Sequence, residues 1–339
     1  MKVMVTGGTG FIGSHTVKSL VEEGHQVRML VRSREKAQRV FRELHCEAPE
    51  MVDGNILDRA SVARCMDTCD ALFHAAAMVS MDHSKKDEML HTNRTGTGHV
   101  MDEACRRSLK SIVHVSSITV LFSPSSAPID ERSPVVTTGS AYGRSKADSD
   151  ILVRKYLGNG NPIRITYPTA VVGPQDPGLS ESNYGVMNFL TRGVPLTSTG
   201  FQALDVRDLA MIHVRLLEGA GTPGYYPVGG IYKTWRELAV FLESITGRRV
   251  HTFQMPGFFL RGAGAVTDLL SRIHPLNVPL THEGMRYVTQ WRKVDSEKTL
   301  KTCGTAFRDP ASTYGDTIRW LHEHGHISRK HAGMTIQGK

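Results

Sequence analysis

Apolar and polar residues follow two alternating rhythms along the first half of the chain. Short apolar runs closed by glycines or small polar residues alternate with longer segments whose apolar positions recur every three to four residues. MKVMVT reads as a buried strand. FIGSHTVKSLVEEG follows as a helix with Ile12, Val17, Leu20 and Val21 on one face and Gly24 as its stop. HQVRMLVR is a second strand, EKAQRVFREL a helix, and PEMVDGNI leads into a third strand. DRASVARCMDTC predicts a helix before the strand DALFHAA. EMLHTNRTGTGHVMDEACRRS predicts a long helix before the strand SIVHVSS. The helix AYGRSKADSDILVRKYL and the strand IRITYP complete the series.

Strands separated by such helices need right-handed crossovers, which build a parallel sheet covered on both faces. The pattern predicts an α/β fold, a doubly wound parallel (Rossmann) sheet spanning residues 1–172 plus about 203–229. After VVGPQDPG the alternation loosens, and LDVRDLAMIHVRLLE and GYYPVGG look like returns to the large unit. A smaller C-terminal α/β substrate-binding domain, about 173–202 and 230–330, is expected to close over the site. No repeat of fixed period is visible.

The formal charge of +8, from 41 Lys+Arg against 33 Asp+Glu, raises the question of nucleic acid. The basic residues are scattered and no zinc-finger, RRM or basic-zipper pattern accompanies them, so the expected partner is a phosphorylated small molecule. Five cysteines (Cys46, Cys65, Cys69, Cys105, Cys303) are too few and odd in number for a secreted disulfide framework and read as free thiols. The 16 histidines show no paired metal-ligand spacing, so no metal is expected. The apolar stretch PGFFLRGAGAVTDLLSRIHP carries Arg261, Asp268 and Arg272 and reads as an amphipathic helix, not a membrane span. MKVMVTGG breaks into glycines too soon for a signal peptide, so the expected location is cytoplasmic.

VTGGTGFIG carries the strongest chemical signal. Gly8, Gly10 and Gly13 satisfy the dinucleotide fingerprint between a strand and a helix, and Gly7, Gly10 and Gly13 give a related three-residue spacing. Without Cβ atoms the backbone can press its N–H groups against a pyrophosphate at the positive helix end. At the end of the second strand, where an acid would hold the ribose of NAD(H), the chain has Arg32 with Ser33 and Arg34. A guanidinium there suits a 2′-phosphate, so NADP(H) is expected over NAD(H).

AYGRSK places Tyr142 and Lys146 one helical turn apart, a spacing common by chance. Its meaning comes from company: TGGTGFIG, HAAA, NRTGT, VSS, YGRSK and YPTAVVGP occur in one order. On these motifs the chain resembles the extended short-chain dehydrogenase/reductases, within them the dihydroflavonol-reductase-like and NAD-dependent epimerase/dehydratase branch, over nearly its full length. The resemblance implies a catalytic set of Ser117, Tyr142, Lys146 and Asn93, the last structural and water-organising. It implies a pyrophosphate loop of Gly7, Thr9, Gly10, Phe11, Ile12 and Gly13, with Arg32 at the 2′-phosphate. Asn55 and Ile56 would flank adenine. Ala75, Ala76, Ala77 and Lys146 would line the nicotinamide ribose, and Pro168 and Thr169 would lie near the carboxamide. A homodimer through paired helices is a further implication. Within that scheme Lys146, at about 5 Å, is expected to lower the Tyr142 phenol by about two units, roughly 3 kcal/mol at an effective dielectric near 20.

Three positions depart from the pattern. Asn55 replaces an aspartate, Tyr167 stands where an arginine often precedes the proline, and TVLFS follows Ser117 where VYG is common in sugar-nucleotide enzymes. The resulting expectation is a reductase, or the reverse alcohol dehydrogenase, for a mostly apolar carbonyl. The rivals are a sugar-nucleotide epimerase with tightly held NAD, a 3β-hydroxysteroid-dehydrogenase-like enzyme, and a non-catalytic dinucleotide sensor. Met78, Met81 and Met89 are either pocket lining or ordinary loop packing.

Overall fold

The structure, a computed structural model, describes residues 1–79, 85–123, 127–137, 141–270 and 281–336. Its first half follows the two rhythms closely: β1 (Lys2–Thr6), α1 (Phe11–Glu22), β2 (Gln26–Val31), α2 (Arg34–Glu43), β3 (Glu50–Asp53), α3 (Arg59–Met66), β4 (Ala71–His74), α4 (Lys86–Arg106), β5 (Ser111–Val115), α5 (Ala141–Gly158) and β6 (Ile163–Pro168). The chain continues as β7 (Ala170–Val172), α6 (Glu181–Thr191), β8 (Val194–Leu196), β9 (Gly200–Asp205), α7 (Val206–Leu217) and β10 (Gly224–Val228). A parallel seven-stranded sheet forms in the order β10-β6-β5-β4-β1-β2-β3. The order reverses between β1 and β4, which opens a crevice at the carboxyl ends of the strands.

Both sheet faces are covered, which is why the central strands β4, β5 and β6 are buried at every position. Val3 and Val5 of β1 pack into the layer shared with Val17 and Leu20 of α1 and Leu209 of α7. Met4 between them packs the opposite way, with Met101 of α4 and Val153 of α5. Each such side chain, fully buried, contributes about 1.5–3 kcal/mol.

The rest is β11 (Ile231–Thr234), α8 (Trp235–Thr246), β12 (Thr252–Gln254), α9 (Gly257–Leu270), α10 (His282–Gln290), α11 (Glu297–Cys303) and α12 (Pro310–Glu323), followed by two short helical turns. A second sheet, β11-β9-β7, and a β12-β8 pair carry it. Ala170–Val172 pair with Ala203–Asp205 there, so both stretches, which the sequence pattern assigns to the large unit, lie outside the seven-stranded sheet.

Two strands leave the large sheet for the small one side by side. β6 continues through Thr169 into β7, and β10 through Gly229 and Gly230 into β11. Thr169 pins the crossings together: its N–H donates to the Val228 carbonyl at 3.0 Å and its hydroxyl to the Gly229 carbonyl at 2.5 Å. Among the described residues no helix is long and apolar enough to cross a membrane.

Candidate active site

The glycine turn leaves β1 at the crevice. Gly7 adopts φ +76°, and a Cβ there would lie 2.6 Å from the backbone of Ala75 and Ala76. A Cβ on Gly13 would overlap the Gly7 carbonyl oxygen, so this glycine lets α1 sit against the turn. Gly10 differs: a Cβ would meet only the Gly7 oxygen, at an ordinary 3.4 Å. It is exposed and caps α1 with no side-chain bond, leaving first-turn N–H groups free for an anion. Gly8 packs against Met29. The cradle therefore uses the Gly7, Gly10, Gly13 spacing, with Thr9 half-buried between them and Ile12 and Phe11 packed on the core. These residues fit a pyrophosphate.

At the end of β2, Arg32 is exposed and makes no ion pair among the described residues. Arg34 is occupied by Asp53, with Nε 2.9 and 2.8 Å from its two oxygens, and Ser33 caps α2 through the Lys36 N–H. Asn55 turns its own loop, its Oδ1 accepting from the Leu57 N–H at 2.8 Å, and Ile56 packs tightly against Gly96 of α4.

After β4, Ala75, Ala76 and Ala77 line the crevice half-buried. Asn93 on α4 fixes this loop. Its Oδ1 accepts from the Met78 N–H at 2.6 Å, and its Nδ2 donates to the Met78 carbonyl at 2.9 Å and to Ser145 Oγ at 2.6 Å. It thus joins the loop to the residue before Lys146. Met89 is buried on α4 and Met81 lies outside the described residues. Pro168 ends β6 at the same edge, beside Thr169.

Ser117 follows β5 and caps a short 3₁₀ turn, Ile118–Leu121. Its Oγ accepts from the Thr119 N–H at 3.3 Å and hydroxyl at 3.0 Å, which leaves its own proton to donate. Its side chain shares a hydrogen bond with the Tyr142 phenol, whereas Ser116 is buried and lies toward Asp150. Tyr142 and Lys146 lie on one face of α5, both half-buried.

The electrostatics differ from the simple pairwise expectation for the tyrosine. Burial first, and then the Glu181 carboxylate, hold the Tyr142 phenol above its ordinary value; the Ser117 bond opposes them and Glu283 adds to them. Burial and the Glu181 carboxylate raise the phenol where the pairing with Lys146 alone predicts a lowering. Burial lowers Lys146 to about 8, with Asp150 pulling the other way. His74 and His114 stack with ring centres 5.2 Å apart beneath it and stay neutral, burial being the main cause for both.

The far wall comes from distant elements that no local pattern announces. Tyr287 of α10 donates to Glu283 at 2.7 Å and packs edge-on to Phe122 at 5.0 Å, while Trp291 stacks on Phe122 at 6.0 Å. Glu181 opens α6, and its carboxyl is pushed up by burial and by Glu283.

Residues 3–229 match the NAD dependent epimerase/dehydratase family. The chain is similar to Sterol demethylase protein B of Methylococcus capsulatus, 27% identical over 96% of this chain and 100% of that protein. It is 26% identical to a putative dihydroflavonol 4-reductase of Synechocystis, covering 95% of each. The crystal structure of gox2253 superposes with a TM-score of 0.80 at 26% identity, covering 96% of this chain and 99% of that one.

Proposed function

Because the chain belongs to the NAD dependent epimerase/dehydratase family, we propose that it is an NADP(H)-dependent oxidoreductase of the extended short-chain type. It would reduce a carbonyl, or oxidise the corresponding alcohol, on an uncharged and largely apolar small molecule. The observation that carries this reading is the Tyr142 phenol, hydrogen-bonded to Ser117 and one helical turn from Lys146.

A bound nicotinamide supplies or accepts the hydride. In the reducing direction, Tyr142 gives its proton to the carbonyl oxygen as the new C–H bond forms, and the product is the alcohol. The Ser117 hydroxyl donates to the same oxygen and stabilises its growing charge. Lys146, an ammonium below about pH 8, holds the crevice positive where a phenolate is left behind. Asn93 keeps the loop of Ala75–Met78 and α5 in register. Arg32, free at the end of β2, supports the 2′-phosphate and hence NADP(H).

An anionic substrate entering beside Tyr142 would meet Glu181 and Glu283, which no lysine or arginine pairs among the described residues. That disfavours a sugar nucleotide and the epimerase reading. The wall of Phe122, Tyr287 and Trp291 suits an apolar ring. The likeness to a sterol demethylase protein keeps a sterol-like ring system within the class.

The test is a panel of neutral and carboxylate-bearing ketones followed by NADPH and NADH absorbance, beside mass spectrometry of any co-purified nucleotide. Tyr142→Phe is expected to lower kcat about a hundredfold, the ordinary worth of acid–base catalysis, with the dinucleotide Kd unchanged. Turnover of the variant at the native rate would end the proposal. Tightly held NAD without consumption of added cofactor would favour the epimerase.

A further inference from the structure

Tyr167, standing where an arginine often precedes the proline, is fully buried, and its surroundings give it a purpose. On α5, Tyr142, Lys146, Asp150 and Arg154 follow at four-residue steps, so they form a slowly turning row on one face. The Asp150 side chain is 0% exposed, and a carboxylate so placed is costly without partners. One oxygen, Oδ2, has two: Arg154 Nε donates at 2.7 Å and the Tyr167 hydroxyl at 3.3 Å. Arg154 Nη2 donates in turn to the Tyr167 hydroxyl at 2.8 Å. The guanidinium lies over the Tyr225 ring at 4.1 Å and the Tyr167 ring at 5.6 Å. The helix itself therefore supplies a cation beside Tyr167, and two rings hold it in place.

The other oxygen, Oδ1, is buried with no hydrogen-bond partner, as is Ser116 Oγ beside it. Asp150 is thus held through Oδ2, with Ser116 facing it from the neighbouring strand end. We propose that Asp150, clamped by Arg154 and Tyr167 one helical turn from Lys146, is a positioning residue that acts through Lys146 by sustaining its positive charge. This deepens the reading of the crevice given above and rests on it for the role of Lys146. The groups that face Lys146 leave Asp150 as its counter-charge: His74 of β4 and His114 of β5 are neutral, and Tyr142 on α5 is protonated.

The test follows the lysine directly. Reductive ¹³C-methylation of the whole protein, with the Lys146 signal assigned through Lys146→Arg, lets its titration be read by NMR without substrate or dinucleotide. Asp150→Asn is expected to move that titration down by about one pH unit, the low end of the effect of a neighbouring opposite charge. Asp150→Glu, which keeps the charge, is expected to leave it within about 0.3 units of the native value. In kcat/KM profiles with NADPH and a reducible ketone, the limb assigned to Lys146 is expected to shift with Asp150→Asn by the same amount. A merely structural ion pair would lower the rate equally at every pH and leave the titration where it is; that result overturns the proposal. If Asp150→Asn does not fold, Asp150→Ser takes its place with the same expected shift, and failure of both to fold also overturns it. Should the native protein reduce no ketone, the functional reading fails while the NMR titration still decides this one.

Discussion

Gly10→Ala separates binding from folding, because the three cradle glycines are glycines for different reasons. Gly10 sits at φ −92° and ψ 170°, extended backbone that alanine adopts readily, and its added methyl would meet only the Gly7 oxygen at 3.4 Å. Alanine is a poorer helix cap than glycine by somewhat under about 1 kcal/mol. It also restricts the unfolded chain, worth about 0.4–1 kcal/mol in the other direction. The two nearly cancel, and the melting temperature is expected to stay within about 3 °C. The methyl, however, stands where a pyrophosphate must approach the first-turn N–H groups. Losing one or two charge-assisted hydrogen bonds, at about 1.5–3 kcal/mol each, weakens dinucleotide binding about a hundredfold. Gly13→Ala should behave oppositely, melting earlier because its methyl overlaps the Gly7 carbonyl. Calorimetric titration with NADPH beside thermal melts reads both quantities. Native-like affinity in folded Gly10→Ala would refute the placement of the pyrophosphate.

Two further outcomes are expected. Arg32→Ala should raise the KM for NADPH about tenfold to a hundredfold, from one lost charge-assisted contact, while NADH changes less than about twofold; equal effects on both cofactors would dismiss the 2′-phosphate role. Acid should destabilise the fold through His74 and His213, lowered to about 3, and His15, lowered to about 4, burial being the first cause in each. The unfolded chain, with ordinary histidines near 6.5, binds more protons as pH falls, so this stability is whole above about 6.5 and drains away toward 3–4. By pH 5 each histidine has removed about 2 kcal/mol. The urea midpoint should therefore be clearly lower at pH 5 than at pH 7, and an unchanged midpoint would contradict the neutral histidines.

Where local patterns were dense the chain could be read directly. IRITYP is β6 to the residue: all six positions are buried, Arg164 and Thr166 included, and the proline closes the strand. The glycine cradle was legible because its constraints are local, although only the structure shows that Gly7, rather than Gly8, carries the backbone demand. Ser117, Tyr142 and Lys146 come together because the carboxyl ends of the parallel strands share one edge with the start of α5. Glu181, Glu283 and Tyr287 were not legible, since they meet Tyr142 only through the packing of α6 and α10. The direction of the phenol's shift was not legible, because charge attraction read from the sequence omits the cost of burial. The four-residue step from Lys146 to Asp150 was visible, but not that Arg154 would fold back as its partner.

The riveted crossing at Thr169 and Gly229 has a consequence for how such a scaffold diversifies. Two parallel links between the seven-stranded and three-stranded sheets resist relative twist better than a single one would. One storey of such a scaffold can be rebuilt while the strand ends of the other keep their alignment.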